Sequence, residues 1–218
     1  MNHKKLSLAL IMLLLTLLPA LPGLAKSDGD GFLVGVFVPY NTFGTDFDGG
    51  SFFNAGDELL LVPGMEKGAG YGLALGGRRG TVEWELYYMH SNHDFTFELI
   101  RDKATFDAVG LNSRFYLGRG VVRPYGSFGM DLCWVIAQNA SITLYDPVRS
   151  GAVKFSGLGI TGGVGLGISP VKAVTLYVGG ELRWGLFGRG KGVLKESHKL
   201  DDLTSLSFCL RGGLVFVI

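Results

Sequence analysis

The sequence predicts an all-β protein: eight antiparallel strands closed up-and-down into a barrel that crosses a membrane. Three observations carry that reading. Long stretches alternate with a period of two, one parity apolar and the other small or charged, as side chains do across a strand. Hydrophobic residues make up 47% of the 218, yet beyond the first 25 no apolar run approaches the ~20 residues of a membrane helix. Glycine contributes 35 of the 218 residues, about twice the usual ~7%, which disfavours helices and suits tight sheets.

Alternation shows what solvent the chain lives in most directly in the last stretch, 203–218. Leu206, Phe208, Leu210, Leu214, Phe216 and Ile218 share one parity, broken only by Gly212. The other parity turns polar towards its start and holds Arg211, Cys209, Ser207 and Ser205. A soluble protein covers such an oily face with a second layer, whereas this chain stops on it at Ile218.

Residues 1–25 read as a secretion signal rather than as part of the fold. Lys4 and Lys5 give a basic start, Leu6 to Leu18 an apolar core too short to span, and Gly23 and Ala25 a small-residue cleavage site. Residues 26–218 are then one barrel domain. A formal net charge of +1 argues against a nucleic-acid partner. Cys133 and Cys209 permit a disulfide in an exported chain without requiring one.

The strands follow in order. Residues 31–40 form a Val- and Phe-rich first strand, and 41–70 a long Gly/Asp/Asn loop in which Leu59 to Val62 extend a hairpin. Residues 70–76 pair a very small face (Gly70, Gly72, Ala74) with Tyr71, Leu73 and Leu75. A tight turn at 77–80 leads into 81–89, with Val82, Trp84, Leu86 and Tyr88 opposite Glu83, Glu85 and Tyr87. A polar loop is expected at 90–103. Residues 104–117 then point Val109, Leu111, Phe115 and Leu117 outward, with Asn112 and Arg114 inward.

After a short turn, 123–136 sets Phe128, Met130, Leu132, Trp134 and Ile136 against Asp131. A third long connection, 138–155, precedes 156–169, where Leu158, Ile160, Val164, Leu166 and Ile168 oppose a row of glycines. A turn at 170–172 leads to 174–187, with Leu176, Val178, Leu182, Trp184 and Leu186 opposite Glu181 and Arg183. A charged loop at 188–202 comes before the closing strand. Short connections thus alternate with long ones over an even strand number, as a transmembrane barrel requires. Closure itself is dictated by lipid, which offers a sheet edge no hydrogen-bond partner.

A soluble lipocalin-like barrel would invert the faces, and the position of the charges discriminates. The charged parity carries Glu83, Glu85, Arg114, Asp131, Glu181, Arg183 and Arg211, with Asn112. An eight-stranded lumen is just filled by side chains, so a mixed-sign set with glycines beside it fits an interior. Trp84, Trp134 and Trp184 near strand ends suit two interfacial belts.

Several stretches together resemble the small eight-stranded outer-membrane β-barrel family of bacteria. They are Val122-Arg123-Pro124-Tyr125-Gly126 with Gly129, Gly163-Val164-Gly165-Leu166-Gly167, Val174-Thr175-Leu176 and Glu181-Leu182-Arg183-Trp184. Opacity-type adhesins and the membrane domain of outer membrane protein A belong to that family. The resemblance implies a bacterial outer-membrane location with short periplasmic turns and long extracellular loops. It implies contact with outer-membrane lipid and lipopolysaccharide, and insertion by the barrel-assembly machinery. The closing strand, with Phe208, Leu210, Leu214, Phe216 and Ile218, would serve as the assembly signal, and the loops could meet an extracellular partner. It implies no cofactor and is silent on activity, because the family shares a scaffold and varies its loops.

His90-Ser91-Asn92-His93-Asp94 is the only stretch with an enzymatic look, since some outer-membrane barrels deacylate lipid with Ser, His and an acid. Neighbours in a strand point to opposite faces, which separates His90 from Ser91 and favours a polar loop base without catalysis. Asp46 and Asp48 lack the later ligands of a calcium loop. The lumen charges could line an ion path, but a packed eight-stranded interior favours mutual pairing. Arg78, Arg79, Arg119, Arg123 and Lys172 fall in the short turns, where they would meet solvent or anionic headgroups.

Overall fold

A computed structural model of the protein describes residues 30–47, 51–53, 59–62, 64–97, 100–118, 120–138, 152–191 and 197–218. The secretion signal proposed for 1–25 lies outside them. Eight long strands make the barrel: β1 (Gly31–Thr45), β2 (Gly68–Arg79), β3 (Val82–Phe97), β4 (Ile100–Tyr116), β5 (Val122–Gln138), β6 (Ala152–Val171), β7 (Val174–Lys191) and β8 (Ser197–Val217). Each pairs antiparallel with its sequence neighbours, and β8 pairs back onto β1 from Leu33↔Val217 to Thr45↔Ser205. No long strand is left with an open edge, which is what a sheet in lipid requires. A two-residue ninth strand, Gly64–Met65, adds to the tip of β3, and Ser51–Phe53 pairs separately with Leu59–Leu61. That last pairing is the hairpin expected at 59–62.

The register fixes the barrel's shape. One row of paired residues runs Arg78, Glu83, Arg114, Ser127, Gly163, Glu181, Cys209, Asn41 and back to β2 at Gly68. The circuit returns ten residues from its start, a shear of ten. Eight strands with that shear lean about 43° from the axis around a backbone radius of about 8 Å.

Both chain ends of the barrel and the short connections share one end. There the β2–β3 turn holds Gly80 at φ 61°, a left-handed conformation that a side chain disfavours, and its amide donates to Asp30 Oδ1 at 2.7 Å. The strands run from 12 residues in β2 to 21 in β8, against the ~9–11 that cross a bilayer. The surplus lies at the long-loop end, which corrects the expected loop boundaries. The polar stretch 90–103 is strand up to Phe97 and again from Ile100. The loops expected at 41–70, 138–155 and 188–202 likewise lose residues to β1, β2, β5, β6, β7 and β8. Polarity marks where a strand leaves lipid, not where it ends.

The faces are those of a membrane barrel. Leu158, Ile160, Val164, Leu166 and Ile168 all stand exposed, Val164 at 72%, while Glu83, Glu85, Arg114, Asp131, Arg183 and Arg211 are buried in the lumen. The lipocalin-like alternative, with oil inside, is thereby excluded.

Two fillings divide the interior. At the loop end β1 breaks away at Thr45, whose positive φ of 62° turns the chain inward. The Asp46 carboxylate accepts the Thr204 amide at 2.7 Å and anchors the break to β8. Phe47 is thus delivered into the mouth, against Phe187 at 4.9 Å and Phe155 at 5.5 Å between ring centroids. Phe43, Phe106 and His93 continue this aromatic plug. Below it the lumen is ionic.

Candidate functional site

Four carboxylates and five arginines are buried among the described residues. Glu83 accepts from Arg78 Nε at 2.7 Å and from Arg114 Nη1 at 3.3 Å. Glu85 accepts both 2.9 Å bonds of Arg114 Nη2 and one from Asn112 Nδ2 at 3.1 Å. Arg211 Nη1 lies 3.2 Å from Glu85 and 3.3 Å from Glu181. The chain Arg78–Glu83–Arg114–Glu85–Arg211–Glu181 therefore carries three charges of each sign. Asp131 forms a second neutral unit, accepting from Arg183 Nε at 2.9 Å and from the Tyr87 hydroxyl at 2.7 Å.

Aromatic rings complete the packing. The Arg211 guanidinium lies 3.7 Å above the Phe37 ring, Arg114 4.0 Å above Tyr177, and Arg183 4.9 Å above Phe106. A planar guanidinium can stack and fork to a carboxylate at once, which a lysine cannot do. Glycines on the facing strands make room. A Cβ on Gly159 would stand 2.6 Å from Asp131 Oδ1, and one on Gly179 2.3 Å from the Tyr125 hydroxyl.

The residues expected inside, Glu83, Glu85, Asn112, Arg114, Asp131, Glu181, Arg183 and Arg211, are all placed there and brought into contact. Sequence reasoning missed Arg78 and Arg123, which it assigned to the short turns. Arg78 is inside because β2 runs to Arg79, and it also donates to Thr175 Oγ1 at 2.8 Å. Arg123 lies over the Tyr116 ring at 4.4 Å and donates to Ser169. Extending the inward parity by one more residue pair would have found both. It would also have found Tyr116, Tyr125 and Tyr177, which are passed over when only charges are counted.

Trp84 and Trp184 stand on the outer wall, Trp84 near the short turns and Trp184 nearer the loops. Trp134 is half-buried, with Lys154 Nζ 5.3 Å from its ring. In the closing strand Leu206, Phe208, Leu210 and Phe216 point outward and are exposed, Leu214 less so, and Ile218 ends beside β1, where its amide donates to Phe32 O at 2.9 Å. Cys133 and Cys209 are both buried, as free thiols.

Because β3 continues through 90–94, that stretch is split across the wall. Ser91 and His93 face inward. Asn41 Nδ2 donates to Ser91 Oγ at 2.9 Å, Ser91 lies 2.8 Å from His93 Nε2, and His93 Nδ1 donates to Glu66 O at 2.9 Å. His90 faces outward, 2.8 Å from Asp107 Oδ1, an oxygen that also accepts the Tyr88 hydroxyl at 2.8 Å. Among the described residues, Ser91 thus has a histidine without an acid, and His90 an acid without a serine.

No protein-family model matches the chain, and no curated protein is similar to it in sequence. Solved structures resemble it in fold. Against the crystal structure of Neisserial surface protein A the TM-score is 0.53 at 13% identity, covering 86% of this chain and 97% of that one. The outer membrane protein OprG of Pseudomonas aeruginosa gives 0.48 at 11% identity over 88% and 97%. The attachment invasion locus protein Ail of Yersinia pestis gives 0.47 at 13% identity over 86% and 99%. With its closed register, outward oil and inward charge, the chain has the eight-stranded barrel fold of the small outer-membrane proteins.

Proposed function

We propose that this chain is an exported integral protein of the bacterial outer membrane with a structural and surface-interaction role and no catalysis. One observation supports this most directly: the barrel is apolar outside and sealed inside, first by paired charges and then by aromatic rings. A wall of exposed Leu, Ile, Val and Phe belongs in lipid, and a filled lumen leaves the loop end as the surface available to other molecules. Residues 1–25 are the cleaved signal peptide and 26–218 the barrel. Trp84 at one border and Trp134 and Trp184 at the other hold it at the two interfaces. The closing strand, with Phe208, Leu210, Leu214, Phe216 and Ile218, is read by the barrel-assembly machinery. Lipid and lipopolysaccharide contact the wall, and the loops meet an extracellular partner.

The two rival readings, a lipid-modifying enzyme and a small channel, need respectively an assembled Ser–His–acid set and an open lumen. The test is an outer-membrane fraction run on a denaturing gel with and without boiling. A membrane barrel resists unfolding until boiled and its band shifts. A protein found in the soluble periplasm with no shift would refute the reading.

A further inference from the structure

The outer wall is not uniform around the barrel. On β5 it stays apolar up to Trp134 and Ile136, on β6 up to Leu158, on β7 up to Leu186 and on β8 up to Leu206. On β3 and β4 it turns polar earlier, at His90 and Asp107. One register row joins Tyr71, His90, Asp107 and Trp134 across β2 to β5. At the tilt set by the shear, such a row climbs about 3.3 Å per strand. His90 therefore sits about 7 Å deeper than Trp134 and about 12 Å deeper than Ile136. A hydrogen-bonded His, Asp and Tyr thus face outward at a depth that is apolar on the opposite wall.

Beside this notch runs a groove of ≈ 400 Å³ lined by Val36, Val38, Tyr71, Leu73, Gly212 and Leu214, at the small end of ligand-site volumes. It exists because Gly212, between Val38 on β1 and Val178 on β7, faces outward without a side chain. A Cβ there would meet nothing closer than Tyr177 O at 3.9 Å. Tyr71 belongs to both features, since its ring lies 5.2 Å from the His90 ring.

We propose that notch and groove are one site, for an acylated sugar lipid of the outer leaflet. An acyl chain lies in the groove, and the sugar's hydroxyl and amide groups meet Asp107 and His90. The inference rests on the membrane-barrel reading above. The chemistry of the notch selects the ligand class. Among the described residues both bonds to Asp107 land on Oδ1, so Oδ2 keeps acceptor capacity there. His90 Nδ1 is engaged with Asp107 Oδ1 at 2.8 Å, which leaves Nε2 for a second polar group. The Asp107 carboxylate binds O–H and N–H donors and repels phosphate, so a glycolipid is preferred over a phospholipid.

The test uses the purified full-length barrel in detergent, with native mass spectrometry to read bound lipid. The probes are an N-acylated glucosamine lipid and phosphatidylglycerol of equal chain length. Wild type should retain one glycolipid at least tenfold better than phosphatidylglycerol. Gly212→Leu, which fills the groove, and Asp107→Asn, which removes the charge, should each lower retention at least tenfold. Gly162→Leu, at an outward glycine with nothing within 4 Å of its Cβ, should bind as wild type does. Equal retention of the two lipids, undiminished binding by Gly212→Leu or Asp107→Asn, or equal loss in Gly162→Leu would overturn the proposal. The boiling shift, read on the same preparations, separates the two failures: its absence from wild type defeats the membrane barrel, and its presence confines any failure to the lipid site.

Discussion

Replacing Glu85 by Gln tests whether the lumen is held by matched charge. The carboxylate is 3% exposed and receives two bonds from Arg114, one from Asn112 and the close approach of Arg211. Gln keeps the shape and one acceptor oxygen but leaves the three-and-three chain with one uncompensated positive charge. Removing one partner of a buried pair costs about 3–5 kcal/mol, more than the pair itself contributes, because the remaining ion stays buried. Guanidinium unfolding in detergent, followed by fluorescence of the three tryptophans, reads this as a lowered midpoint at unchanged slope. Adding Arg114→Gln restores neutrality, since Glu83 keeps Arg78. The double variant should recover more than half of the loss, a coupling far larger than exposed pairs show. A cost below about 1 kcal/mol for Glu85→Gln, the value of a solvent-screened pair, would refute the account of a packed, charge-paired lumen.

Three further outcomes follow from the packing. Gly72→Ala places a Cβ 2.1 Å from the Phe37 ring and should cost about 1–3 kcal/mol by overpacking, with Phe37→Leu restoring most of it in the same unfolding assay. Cys133 and Cys209, buried in the lumen, should react with maleimide only after denaturation, and labelling of the folded barrel would show an open interior. In planar bilayers the protein should give no steady single-channel current. A current left unchanged by Glu85→Gln would point to a contaminating pore instead, whereas one carried by wild type and altered by Glu85→Gln would show that the lumen conducts.

The sequence alone determined the strand count, the alternation of short and long connections, and which parity faces lipid. These follow from a period of two under one constraint, that lipid satisfies no backbone hydrogen bond and no charge. The inward parity also named Glu83, Glu85, Arg114, Asp131, Glu181, Arg183 and Arg211 as one set. Their pairing was not legible, because which acid meets which arginine depends on shear and on the facing glycines, both long-range quantities. Strand ends were misread for the same reason. Arg78 looked like a turn residue and 90–94 like a loop, although backbone pairing carries β2 and β3 through both. The plug at Phe47 depends on a single left-handed residue at Thr45, which no periodicity announces. The outward notch likewise arises only when His90 of β3 and Asp107 of β4 are aligned by register. Local alternation decides faces, and only closure of the sheet decides neighbours.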